Sequence, residues 1–124
     1  MQISELARLT GTSVRSLRYY EARGLIKARR LENGYRDYDG SIVEQIRAIR
    51  MYLEMGLNTD EIGRIVSCKG LNIWGEVDPT FPECGDNVLA IYTHKLHSID
   101  VEMRTLSDIK SRLLQKVHFI KDQR

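Results

Sequence analysis

Apolar residues recur at helical spacing in four short blocks before residue 67 and along one long block after residue 88. Ile3, Leu6, Ala7 and Leu9 form the first block, with Ser4 as the expected cap, Glu5 in the first turn and Thr10-Gly11 as the stop. In the second, Val14, Leu17 and Tyr20 share one side of a helix. Arg15, Arg18, Tyr19, Ala22 and Arg23 occupy the other side at steps of three and four. Ser13 caps this helix and Gly24 ends it. Leu25 to Arg30 and Tyr35 to Tyr38 then flank Asn33-Gly34, a dipeptide that accepts the left-handed backbone of a tight hairpin turn. The pattern predicts a small two-stranded wing.

A third helix is expected from Asp39 or Ser41, where Ser41 and Glu44 fit a capping box ahead of Ile42, Ile46, Ile49 and Leu53. Gly56 closes it. Thr59, Asp60 and Glu61 open a fourth, with Ile62, Ile65 and Val66 facing inward. Farther on, Leu89, Tyr92, Leu96, Ile99, Met103, Leu106, Leu113, Val117 and Ile120 follow alternating steps of three and four, with only Lys110 polar in the series. Such a heptad is a coiled-coil seam. One helix over residues 88 to 120 would run roughly 50 Å at about 1.5 Å per residue. A stripe of that length needs a cover, and a second copy of the chain is the simplest one. The fold expected is therefore mainly α. A winged helix-turn-helix with two supporting helices occupies residues 1 to 67, a linker or sensor loop 68 to 87, and a coiled-coil dimerisation helix 88 to 124.

Charge sharpens this picture. The whole chain is +2 at pH 7, yet the stretch from Ser13 to Tyr38 alone holds seven Lys/Arg. The excess falls on the predicted second helix and wing, which marks a polyanion-binding surface. Two short helices joined by a Gly-containing turn, the second displaying Arg15, Arg18 and Tyr19, suit a major groove. Arginine reads guanine edges bidentately, and Ser, Tyr and Arg hold phosphate oxygens. Arg29, Arg30, Tyr35 and Arg36 on the hairpin would clamp the neighbouring backbone. At 124 residues the chain is too short for most architectures with a deep catalytic cleft. No apolar run is long enough to span a bilayer, and the N-terminal MQISELARLTG lacks the pattern of a secretion signal, so a cytoplasmic protein is expected.

Three segments, ISELARLTGTSVRSLRYYEARGLI, NGYRDYD and MGLNTDEI, resemble in order and spacing the MerR family of bacterial transcription regulators. The likeness spans about residues 2 to 67, and the long helix agrees in kind and position. In the third segment Leu57 and Asn58 depart from the family's Gly-aromatic-Ser-x-x-Glu-Ile pattern. The resemblance implies a homodimer whose long helices pair antiparallel and set two winged domains on double-stranded promoter DNA. It also implies distortion of that DNA on an effector or stress signal, so that RNA polymerase engages both promoter elements. Family DNA contacts carry onto Arg18, Tyr19, Tyr20, Tyr35 and Arg36, with Ser13 and Arg15 where the helix start selects sequence. Arg50 is implied as a phosphate contact. Where many relatives have a further basic residue, this chain has Leu53.

Cys68 and Cys84 lie sixteen residues apart and could form a disulfide, share a ligand or be buried thiols. In a reducing compartment a permanent disulfide is the least expected of the three. The resemblance sets Cys84 close to a position that metal-sensing relatives use. Cys68, with His94 or His97 from the second copy of the chain, could complete a thiolate and imidazole site for a metal ion, or Cys84 could act as a redox-active thiol. Against this stands a plain reading, with Cys68 a buried thiol ending the fourth helix and the histidines exposed. Ile73, Trp74, Val77 and Phe81 could line a small effector pocket or simply pin a linker. Two rival functions remain: a DNA-architectural protein of the excisionase kind, which bends DNA without an effector, and, remotely, a thiol enzyme.

Overall fold

A computed structural model describes residues 1–68, 70–76 and 82–124, with the side chains of 82–84 outside the description. Five helices and one hairpin follow the expected order: α1 (Ile3–Thr10), α2 (Val14–Ala22), β1 (Arg29–Arg30), β2 (Arg36–Asp37), α3 (Ile42–Glu54), α4 (Thr59–Val66) and α5 (Pro82–Asp122). The chain divides into two compact units, Met1–Leu89 and Ala90–Arg124. The mainly helical fold with a winged N-terminal unit and a long C-terminal helix is as the apolar pattern predicts.

The first unit is built on the apolar faces of its helices. α1 packs on α2 and on α3, and α3 on α4. Leu6, Leu17, Ile46, Ile49, Tyr52, Ile62 and Ile65 are almost wholly removed from water. None of α1, α2 and α4 exceeds nine residues, a length at which isolated helices are marginal in water. Their order comes from this shared core.

Local chemistry then sets the helix ends. Gly11 takes a left-handed conformation with φ 64° and donates its N–H to Ala7, closing α1. Ser13 caps α2, its hydroxyl accepting from the Ser16 N–H at 3.1 Å. At α4 a reciprocal capping box forms. The Asn58 side chain accepts from the Glu61 N–H at 2.8 Å, and the Glu61 carboxylate accepts from the Asn58 N–H at 3.0 Å. Asn58, which departs from the family pattern, is thus the cap of the helix that Thr59 opens, as expected.

Other local expectations are corrected. Gln2, not Ser4, stands before α1, and it makes no side-chain cap. Ser41 has helical backbone angles and no capping bond, because Glu44 pairs with Arg47 at 2.7 Å instead of reaching back. On α3 the buried position near the C-terminus is Tyr52 rather than Leu53, which is 36% exposed. The wing strands are two residues each, shorter than the six and four residues expected. Leu25 and Ile26 leave α2 straight into the core and cannot join a solvent-exposed ladder. In the hairpin Arg29 faces Asp37 and Arg30 faces Arg36, and Gly34 at φ 85° supplies the turn.

Beyond α4, Asn72 organises a turn, its side-chain oxygen accepting from the Trp74 and Glu76 N–H groups. The buried Tyr52 hydroxyl donates to the Ile73 carbonyl at 2.9 Å and ties that turn to α3. Val77 and Phe81, named with Ile73 and Trp74 as pocket-lining candidates, lie outside the described residues. α5 begins at Pro82, six residues before the helix that the heptad alone predicts, and extends 41 residues, about 61 Å. In the second unit most of its apolar residues from Leu96 onward face solvent: Leu96, Met103, Leu106 and Leu113 are each more than 60% exposed.

Leu17→Ala should lower the unfolding free energy of the first unit by about 2–5 kcal/mol, the range for a leucine truncated inside a packed core. Urea denaturation followed by circular dichroism measures it; a loss below about 1 kcal/mol would mean that the core is not centred on α2.

Candidate nucleic-acid interface

The face of α2 opposite Leu17 is polar and uncovered. Arg15, Arg18 and Arg23 are exposed and Tyr19 is 51% exposed, while Leu17 and Tyr20 turn into the core. The helical period explains the split, since positions 17 and 20 fall on one side and 15, 18, 19 and 23 on the other. Neither Arg15 nor Arg18 forms an ion pair with the described residues. Ser13 also donates its hydroxyl to Ser16 at 2.9 Å, so it is engaged as a cap at the exposed start of the helix.

Tyr20 differs from its neighbour. It is 6% exposed, and its ring lies tilted at 6.5 Å from that of Tyr19. Burial raises the Tyr20 phenol above its ordinary pKa, and the positive charge of Arg50 partly opposes the rise. The buried half of Tyr20 that its spacing from Leu17 suggests is therefore the larger half.

The wing stands beside this face and is fastened to it. Arg36 on β2 pairs with Glu21 on α2 at 3.0 Å, the one acid on that helix. Glu21 is mostly covered, at 20% exposure, so this contact outweighs an ordinary surface pair. Asp37 accepts from the Met1 amine at 2.7 Å and from Arg29 at 3.2 Å. The amine's hydrogen bond is the largest cause of the Asp37 carboxyl lying below its ordinary pKa, with Arg29 adding to it. Tyr38 is buried, which pushes its phenol up, and the Glu21 charge adds to that while Arg36 and Arg18 oppose it. Three charged groups, Arg18 and Glu21 of α2 and Arg36 of the wing, thus gather around Tyr38. Gln2, Arg18, Tyr35, Arg36 and Tyr38 line a cleft of about 370 Å³ there. Tyr35, at 66%, is the most exposed tyrosine of the wing.

Glu21 and Tyr38 were not singled out in the sequence. The signal for Glu21 was its place as the only acid on a basic helix, but nothing local says that its partner lies fifteen residues on. Arg50, expected as a phosphate contact, projects from α3 and donates to the Thr10 carbonyl at 2.6 Å. Leu53 is at the rim of α3, as its exposure shows.

The remaining candidates belong to other elements of the chain. Cys68 follows α4, is partly exposed and is disulfide-bonded, not the buried thiol of the plain reading. The disulfide is also the pairing that a reducing compartment disfavours. The side chain of Cys84 lies outside the described residues. His94 and His97 are exposed on α5 in the second unit. Among the described residues no group of three or more His, Cys, Asp or Glu is arranged to hold a metal ion. Nor is any described helix long and apolar enough to cross a membrane.

Residues 1–68 match the sequence pattern of the family described as MerR HTH family regulatory protein. The chain is similar to the HTH-type transcriptional regulator CueR of Escherichia coli, 31% identical over 110 residues, covering 88% of this chain and 65% of that protein. It thus spans just under two thirds of this relative's length. The mercuric resistance operon regulatory protein of Bacillus cereus is 31% identical over 110 residues, covering 88% of this chain and 74% of its own. In fold the chain is similar to the transcription regulator PbrR691 of Ralstonia metallidurans CH34, solved in complex with lead(II). The TM-score is 0.74 at 24% identity, over 93% of this chain and 84% of that one.

Proposed function

The chain belongs to the MerR family of helix-turn-helix regulatory proteins, and on that premise we propose that it is a dimeric, sequence-specific transcription regulator that distorts promoter DNA in response to a signal. The observation that carries this reading is the uncovered basic face of α2 with the wing fastened beside it. In the proposed complex α2 enters the major groove, where Arg15 and Arg18 face base edges and Tyr19 faces the sugar-phosphate rim. Ser13 stands at the helix start, close to the same edges. Tyr35 and Arg36 hold the adjacent backbone and set register without reading sequence. Tyr20, buried, takes the supporting part. The protein is a binding protein and switch that works in the bacterial cytoplasm beside RNA polymerase, and no catalytic step is assigned to it.

Dimerisation through α5 is part of the proposal. The apolar residues of the seam, Leu89, Tyr92, Leu96, Ile99, Met103, Leu106, Leu113, Val117 and Ile120, repeat at coiled-coil spacing, and all but the half-buried Tyr92 are exposed. Two-stranded pairing would remove that face from water, and antiparallel pairing, as in the family, would set two winged units on a two-fold related site. Sequence-dependent bending and untwisting of DNA would then be read as energy as well as base contacts. An excisionase-like bender has no need of so long a seam.

The signal is assigned to the region of residues 68 to 94. The Cys68 disulfide favours a thiol response, through Cys68 and Cys84, over a metal held by thiolates with His94 or His97. Native mass spectrometry with metal analysis, before and after reductant and repeated on Cys84→Ser, separates the two. A reversible thiol mass change supports the redox reading, a bound metal ion the other, and neither outcome would move the signal elsewhere.

Duplexes selected from a random library give the site against which α2 is tested. Arg18→Ala should weaken binding to the selected duplex by about 1–3 kcal/mol. Unchanged affinity at fixed salt would remove α2 from the interface. For the seam, replacing Leu96 and Ile99 together with Asp should give monomers in analytical sedimentation; a persisting dimer would place the interface elsewhere.

A further inference from the structure

Arg50 occupies a junction that a mere surface cation would not. It projects from α3, and its Nη1 donates to the carbonyl of Thr10, the last residue of α1, at 2.6 Å across forty residues of chain. A Cβ built on Gly11 would lie 3.5 Å from the same nitrogen, so the guanidinium rests against the turn itself. Its charge also reaches Tyr20, on the buried face of α2. One side chain therefore bears on the end of α1, the turn and the underside of α2.

The turn has few other means of holding its angle. Only Gly11, Thr12 and Ser13 separate α1 from α2. The carbonyl of Ala7 accepts the N–H groups of Gly11 and Thr12, and the Thr10 hydroxyl donates to Leu6 at 2.8 Å. The Thr10 carbonyl is left over, one of the orphan acceptors at a helix C-terminus. From within the turn it receives only the Thr12 hydroxyl, at 3.5 Å. Arg50 satisfies it from outside with a charged donor, and its positive charge suits the negative end of the α1 dipole. α3 is the best-anchored helix available, with Ile42, Ile46, Ala48, Ile49 and Tyr52 buried along it. A donor fixed to α3 ties the turn to the core.

We propose that Arg50 is a positioning residue for sequence reading: by holding the Thr10 carbonyl it sets the pitch at which α2 presents Arg15 and Arg18, and it does so without neutralising a DNA phosphate. This rests on the assignment of α2 as the groove-reading helix. The two roles separate because non-specific binding is an ion-release effect governed by how many phosphates are neutralised, whereas base-edge contacts need a helix held in one orientation.

The test compares wild type, Arg50→Met and Arg50→Lys on a duplex selected from a random library and on a scrambled duplex of equal length. Affinity is measured across a salt series, with thermal melts recorded for each protein. Arg50→Met keeps the stem and loses the donor. Its preference for the selected duplex should fall about tenfold or more, since a hydrogen bond from a charged donor is at stake. Scrambled-duplex affinity and the salt slope should stay as in wild type. A phosphate contact would instead weaken both duplexes alike and make the slope shallower by about 0.9, the value for one neutralised phosphate, and that result overturns the proposal. So does unchanged preference. Arg50→Lys keeps the charge but offers a compact ammonium in place of the guanidinium fork. It should lose part of the preference at unchanged slope, and it decides the matter if Arg50→Met melts below the assay temperature; wild-type preference in the lysine variant overturns the proposal. Failure of the underlying assignment looks different, because the wild-type protein would then show no preference for any duplex.

Discussion

Burial of Leu6, Leu17, Ile46, Ile49, Ile62 and Ile65 is the constraint on which the rest of the first unit depends. A nine-residue helix carrying two arginines on one side has little reason to stay helical alone, since it is short and like charges three residues apart repel. Packing Leu17 and Tyr20 into the core holds α2 in register, and it simultaneously forces Arg15, Arg18 and Tyr19 outward. Display of the basic face is thus a consequence of core burial, and needs no separate stabilising device.

Three polar fastenings refine that placement. Arg50 reaches the end of α1, Glu21 reaches the wing through Arg36, and Asp37 ties the wing to the chain start. Each bridges elements that the core alone leaves free to tilt. Each also uses a charged group beside a surface proposed to meet a polyanion, so the charges that hold the unit together and those that would bind DNA are neighbours. In Glu21 the basic helix keeps one acid, and that acid is spent on orienting a wing arginine.

The second unit has a different logic. Its exposed apolar residues recur at heptad spacing over most of α5 and, within one chain, remain in water. In the proposed dimer a small winged unit would supply groove contacts for half a two-fold site, and a long lever would supply distance and angle between halves. Proposed pairing of α5 joins these requirements, because the same burial that would stabilise the helix would fix the separation of the two reading heads.

Much of this was legible in sequence. The steps of three and four identified each helix, Gly11, Gly24 and Gly34 marked turns through their backbone freedom, and Ser13 announced the cap that it forms, because these are interactions among residues close in the chain. Local reading failed where two local solutions competed: Glu44 pairs with Arg47 and leaves Ser41 without a capping bond. The division of α2 into core and display faces was written in its period. What only the tertiary structure decided was the set of long-range partners: Arg50 with Thr10, Arg36 with Glu21, Tyr52 with Ile73. No periodicity encodes them, since each partner is chosen by the packing of helices that bring distant residues within hydrogen-bond reach.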